Sequence, residues 1–134
     1  MFCFLNGFQH RGDELYQYAK EANRIDDSEL DKISDLKYTT YLNMAQIDIF
    51  NQNYKKCVDR ATNSIKIKPT LKGFFRRGWA YLELNDLDNA EADFKRCLEF
   101  EPDNADVKAK LAELKKKLKQ SDNKLKDKLK NMFG

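Results

Sequence analysis

The chain has 134 residues, enough for one domain with a real core and few for two. Hydrophobic residues make up 41% and charged residues 35%, a balance that suits a thin helical array with much surface. No apolar run approaches the roughly 18 residues that span a bilayer, and Met1–Leu5 is too short and lacks the basic flank of a secretory leader, so a cytoplasmic setting is expected.

Residues 1–12 read as an irregular lead-in, because Phe2, Phe4, Leu5 and Phe8 follow no clean period. His10, the single histidine, sits there beside Arg11. From Asp13 the spacing of Leu15, Tyr18, Ala22 and Ile25 gives one apolar stripe and predicts a helix over 13–26, ending in the polar run Asp26-Asp27-Ser28. An acidic linker from Glu29 to Asp35 is expected next, then helices near 36–50, 54–67, 71–84 and 88–100. Asn51-Gln52-Asn53 and Asn85-Asp86 supply the turns within pairs, and Pro69 and Pro102, the two prolines, end the second helix of each pair. A sixth helix over about 105–130 carries Val107, Leu111, Leu114, Leu118, Leu125, Leu129 and Met132 on one stripe. Its near end should cover the apolar face of the last pair, and its far end, beyond Ser121-Asp122-Asn123, should project into solvent.

Residues 105–134 hold 10 Lys and 4 acidic residues, so the formal net charge of +3 is a property of this tail. The plainest reading is a solvated face that keeps the helix soluble. A calmodulin-binding or lipid-binding helix fits the same pattern, and nucleic acid is not the expected partner.

No constellation for catalysis stands out. There is no Gly-rich phosphate loop, no Ser or Cys nucleophile with an available His, and no metal-ligand spacing. No catalytic residue, metal or cofactor is therefore expected, and the chain is not expected to be an enzyme. Cys3, Cys57 and Cys97 are odd in number and lack CxxC spacing, which reads as packed thiols in a reducing compartment.

Two stretches repeat one another. Leu71–Asn104 places Phe74, Gly78, Tyr81, Ala90, Phe94 and Pro102 at the positions of the tetratricopeptide pattern, with Arg77 where that pattern has Leu. Tyr38–Thr70 places Tyr41, Ala45, Cys57 and Pro69 in the same slots but has Asp48 for Tyr81 and Ala61 for Phe94. The expected fold is all-α: a tetratricopeptide helix-turn-helix solenoid over 13–104, with a partial repeat at 13–37, repeats at 38–70 and 71–104, and a long capping helix over 105–134. An incomplete first repeat should leave an apolar face around Leu15, Tyr18 and Leu42, so homodimerisation there is expected.

Asn43 and Arg76 occupy the same sixth slot of successive repeats, and Lys72 lies one turn before Arg76. Together they suit a carboxylate-rich peptide end. Phe75 and Trp79 are the apolar residues expected along the same groove. At these residues the chain resembles a family: LKGFFRRGWAYLEL, YLNMA, EADFKRCLEFEPDN and KLKDKLKNMFG look like the tetratricopeptide region of large immunophilins, the cyclophilin and FK-binding prolyl isomerases that act as co-chaperones. The resemblance covers Tyr38 to Gly134. It implies that Asn43, Lys72 and Arg76 belong to a dicarboxylate clamp for the C-terminal Met-Glu-Glu-Val-Asp peptide of heat-shock protein 90, or the corresponding peptide of heat-shock protein 70. A Lys and an Asn from that family's first helix have no counterpart here, nor has its isomerase domain, so the expectation is a fragment or a member altered at its beginning.

Overall fold

The computed structural model describes residues 26–133 together with Glu14 and Gln17. The expectations for residues 1–12, for the helix over 13–26, and for Leu15 and Tyr18 lie outside the described residues. The chain divides into two compact units, residues 1–36 and 37–134. Its five described helices are, in order, α1 (Asp27–Phe50), α2 (Tyr54–Ile67), α3 (Leu71–Glu83), α4 (Leu87–Phe100) and α5 (Ala105–Phe133). No strand occurs among the described residues.

The acidic linker expected over 29–35 does not exist, because α1 runs without a break from Asp27. Asp26 caps α1: its Oδ1 accepts from the Glu29 backbone N–H at 2.8 Å. Asp27 and Glu29 then sit in the first turn, where negative charge favours the helix dipole, and no Gly or Pro interrupts the segment.

In residues 37–134 two helix pairs, α1–α2 and α3–α4, are related by an offset of 33 residues that recurs in individual bonds. Gln52 and Asn85 both adopt the left-handed backbone, with φ of 60° and 61°, and so reverse the chain. The next residue of each turn bonds back alike, Asn53 N to Asp48 O at 2.8 Å and Asp86 N to Tyr81 O at 2.9 Å. A small polar side chain on each second helix donates to a backbone carbonyl of its partner, 33 residues apart in the two pairs: Ser64 Oγ to Tyr38 O at 3.0 Å, and Cys97 Sγ to Leu71 O at 3.6 Å. α2 and α4 both stop just before proline, at Lys68 and Glu101, whose extended backbone is what a residue preceding proline adopts. Thr70 then caps α3, accepting from Gly73 N at 3.1 Å, and Asn104 caps α5, accepting from Val107 N at 3.1 Å.

Within α3–α4 the helices meet at Gly78. A Cβ there would lie 2.9 Å from a ring carbon of Phe94, so only glycine admits this approach. Phe94, fully buried, anchors a cluster with Phe74, Leu82, Ala90, Cys97, Val107 and Leu114, against which Tyr81 packs. Burying each such large side chain contributes about 1.5–3 kcal/mol. Small residues, Ala45, Cys57, Ala61 and Ala80, join Ile49 in a second cluster between the pairs.

The two misfits in Tyr38–Thr70 and the Arg at 77 have one explanation. Where α3–α4 closes with Tyr81 and Phe94, α1–α2 closes with an ion pair, both oxygens of Asp48 accepting from Arg60 Nη1 at 2.8 Å. Arg77 grips Asp93 with two bonds, Nε to Oδ2 at 2.8 Å and Nη2 to Oδ1 at 2.7 Å. Among the described residues no buried side-chain nitrogen or oxygen lacks a partner. Leu42, expected on an open apolar face, is buried instead, so it offers no surface for a second copy.

α5 continues through Ser121-Asp122-Asn123 to Phe133. Val107 and Leu114 are buried against α3 and α4, and Lys117 Nζ reaches the Leu82 carbonyl at 3.3 Å. From Leu118 onward the stripe is exposed. No described helix is long and apolar enough to cross a membrane.

Candidate functional site

Asn43 lies on α1 and Lys72 and Arg76 on α3, the first helices of the two pairs. One bond ties these helices at the site: Arg76 Nη1 donates to the Leu42 carbonyl at 2.7 Å, beside Asn43. The guanidinium is thus held at the α1 turn that carries Asn43, and its remaining N–H groups are uncommitted among the described residues. Cys57 on α2 adds a brace, its Sγ donating to the Arg76 carbonyl at 3.6 Å. Arg76 is half-buried, and that burial lowers its pKa from the ordinary arginine value. Arginine nonetheless keeps its charge at neutral pH.

Asn43 and Lys72 are exposed, and neither side chain is hydrogen-bonded or ion-paired among the described residues. Lys72 sits in the first turn of α3, one turn before Arg76. The arrangement offers a neutral amide and two cations, one fixed and one free to reach, on adjacent helices.

Arg77, next in sequence to Arg76, has a different role. Its bidentate bond to Asp93 raises its pKa and locks α3 to α4, and it also donates to Thr62 Oγ1 on α2 at 3.3 Å. Of the two adjacent arginines, Arg77 and not Arg76 pairs with Asp93.

Phe75 and Trp79 are half-buried on α3 and meet edge to face, with ring centroids 5.9 Å apart. Phe75 also reaches the Phe94 ring at 6.0 Å, and Trp79 packs against the second cluster. Lys110 Nζ stands 3.9 Å from the Trp79 ring centre, a close cation–π contact. Sequence reasoning missed Lys110. Ten lysines at similar spacing carry no signal for which one meets the indole; the docking of α5 selects it.

The remaining chemistry is structural. Burial pushes the thiols of Cys57 and Cys97 up to about 12, so neither is a nucleophile at neutral pH. Among the described residues no group of three His, Cys, Asp or Glu could hold a metal ion.

Comparison with known proteins agrees with the helical-repeat fold. The tetratricopeptide repeat family matches residues 71–104. The peptidyl-prolyl cis-trans isomerase FKBP4 of Bos taurus is 27% identical over 121 residues, covering 90% of this chain and 26% of that protein. Its Mus musculus counterpart is 30% identical over 105 residues, covering 73% of this chain and 23% of that protein. The chain thus spans about a quarter of the length of these relatives. Among solved structures, the C-terminal tetratricopeptide-containing domain of a Plasmodium falciparum protein described as FK506-binding superposes with a TM-score of 0.68 at 25% identity, covering 83% of this chain and 75% of that one. The chain is an all-α tetratricopeptide-repeat array of the kind carried by the FK506-binding immunophilins.

Proposed function

We propose that the chain is a protein-interaction module that docks the acidic C-terminal peptide of a heat-shock chaperone, with Asn43, Lys72 and Arg76 as a carboxylate clamp. The observation that carries this reading is the 2.7 Å bond from Arg76 to the Leu42 carbonyl, which sets a charged guanidinium beside Asn43 while Lys72 projects one turn away. A peptide ending in Asp presents two carboxylates at its last residue. Arg76 suits one of them through charge-assisted bonds, and the mobile ammonium of Lys72 suits the other. Phe75 and Trp79, on the same helix, supply apolar surface for the residues before the terminus.

The test is anisotropy of a labelled peptide ending in Glu-Glu-Val-Asp. Binding should fall when the peptide's C-terminus is amidated. Lys72→Ala and Arg76→Ala should each weaken it by about 1.5–3 kcal/mol, the range for bonds to charged groups, and added salt should weaken it further. Equal loss from Lys116→Ala on α5 would assign the attraction to general positive charge. Binding that survives both amidation and Arg76→Ala eliminates the clamp.

A second reading comes from the relatives, which bear the name peptidyl-prolyl cis-trans isomerase. A coupled prolyl-isomerase assay on this chain separates the two, since enzyme-like turnover would place catalysis in these residues.

A further inference from the structure

The apolar stripe of α5 changes environment along its length. Val107 and Leu114 are 0% and 1% exposed, whereas Leu118, Leu125, Leu129 and Met132 are 37%, 57%, 44% and 70% exposed. At about 100° per residue these four side chains fall within about 60° of arc on a helix face some 20 Å long. Lys124 and Lys128 border the stripe on one side, and Lys115, Lys119 and Lys126 border it on the other. Phe133, 86% exposed, ends it.

A second copy of the chain is a poor occupant for this face. A coiled-coil seam needs apolar residues at alternating spacings of three and four. Leu111, Leu118, Leu125 and Met132 hold one set of positions, but after Leu114 the other set falls on Ser121 and Lys128. Pairing two such helices would also bring their flanking lysines together. The occupant that matches the face is a broad, negatively charged surface with an apolar interior beneath it.

We propose that residues 115–133 of α5 lie flat on an anionic lipid surface, with Leu118, Leu125, Leu129 and Met132 turned into the boundary between headgroups and acyl chains. The lysines on both borders then meet lipid phosphates and carboxylates, each adding to the attraction within a Debye length of the surface. The buried near end of α5 holds the remainder of residues 37–134 on the water side. Asp122, beside Ser121 at the edge of the stripe, is the acidic group that opposes contact.

The experiment is co-sedimentation of the full chain with vesicles of phosphatidylcholine alone and of phosphatidylcholine mixed with phosphatidylserine. Sedimentation with the mixed vesicles, little with the neutral ones, and partial release by salt are expected. The pair Leu125→Asp and Leu129→Asp should lower the partition at least about tenfold, since apolar burial and charge act together. Asp122→Lys should raise it, and Arg76→Ala, in the peptide site, should leave it unchanged. Circular dichroism on each variant confirms that the exposed substitutions leave the helix intact. Absence of sedimentation with the mixed vesicles overturns the proposal, and so does equal sedimentation of wild type and the Leu125→Asp, Leu129→Asp pair, which would mean adsorption by charge alone. A dimer in analytical ultracentrifugation that the same pair dissociates, or capture by calcium-loaded calmodulin without vesicle binding, assigns the stripe to a protein partner and likewise overturns it.

Discussion

Arg77 and Asp93 clasp α3 to α4 through two bonds of 2.8 and 2.7 Å, with the Asp93 side chain only 5% exposed. In the preceding pair Arg60 occupies the slot of Asp93 and Asp48 that of Tyr81, so the acid and the base have exchanged helices. Each hairpin thus carries one ion pair across its two helices, and either polarity closes it.

Asp93→Ala should therefore destabilise the fold by about 3–5 kcal/mol, because it leaves a half-buried guanidinium without its acceptor. Arg60→Ala should cost less, since Arg60 is 31% exposed and water can reach part of the site, although Asp48 is left buried. Urea midpoints at unchanged slope would register both effects.

Gly78→Ala should destabilise by about 1–3 kcal/mol, the usual range for overpacking. The new methyl would sit 2.9 Å from Phe94 and 3.2 Å from the Cβ of Asp93, and neither can retreat without disturbing the cluster or the ion pair. Thermal unfolding of the single variant tests this. A normal melting temperature would mean that α3 and α4 pack less closely than described.

Gln52 takes a left-handed backbone that Asn85 also takes in the next pair, and a long side chain gains nothing there. Gln52→Gly should stabilise the protein by about 0.5–1 kcal/mol, relief of the steric penalty outweighing the added freedom of the unfolded chain. The same measurement on Asn85→Gly should give a smaller gain, because Asn tolerates this conformation better.

The buried thiols predict an alkaline limit. Cys57 and Cys97 are raised by burial from an ordinary 9.0 to about 12, so the folded chain keeps protons that the unfolded chain releases. Their contribution is full below about pH 9 and declines as pH rises toward 12, the sign expected for a raised pKa. In a Cys3→Ser background, which leaves only these two thiols, a disulfide reagent at about pH 8 should react slowly with native protein and rapidly in denaturant.

Lys72→Ala and Arg76→Ala should differ in stability even where both weaken peptide binding. Lys72 is exposed and unpaired among the described residues, so its loss should change the melting temperature little. Arg76 joins α3 to the Leu42 carbonyl, and removing that bond should lower stability by about 1 kcal/mol. Differential scanning calorimetry alongside the binding assay would show the split.

The helix pairs were legible because their signals are local. Pro69 and Pro102 stop α2 and α4 within a turn of themselves, and Gly78 and Phe94, which meet across two helices, stand at the fixed spacing of the repeat. The reading failed over 29–35, where acidic residues read as a linker continue α1: the Asp26 carboxylate accepts from the Glu29 N–H, and Asp27 and Glu29 favour the first turn. Tertiary structure alone decided the remainder. Asn43, Lys72 and Arg76 could be named from their slots, but only the packing of α3 on α1 ties Arg76 to Leu42 and leaves Arg77 to Asp93, because two adjacent arginines point about 100° apart and the neighbouring helices determine what each one meets. The same holds for Lys110 on Trp79 and for the point near Leu118 where α5 leaves the core: the stripe continues unchanged in sequence, and what ends its burial is the length of the helices beneath it.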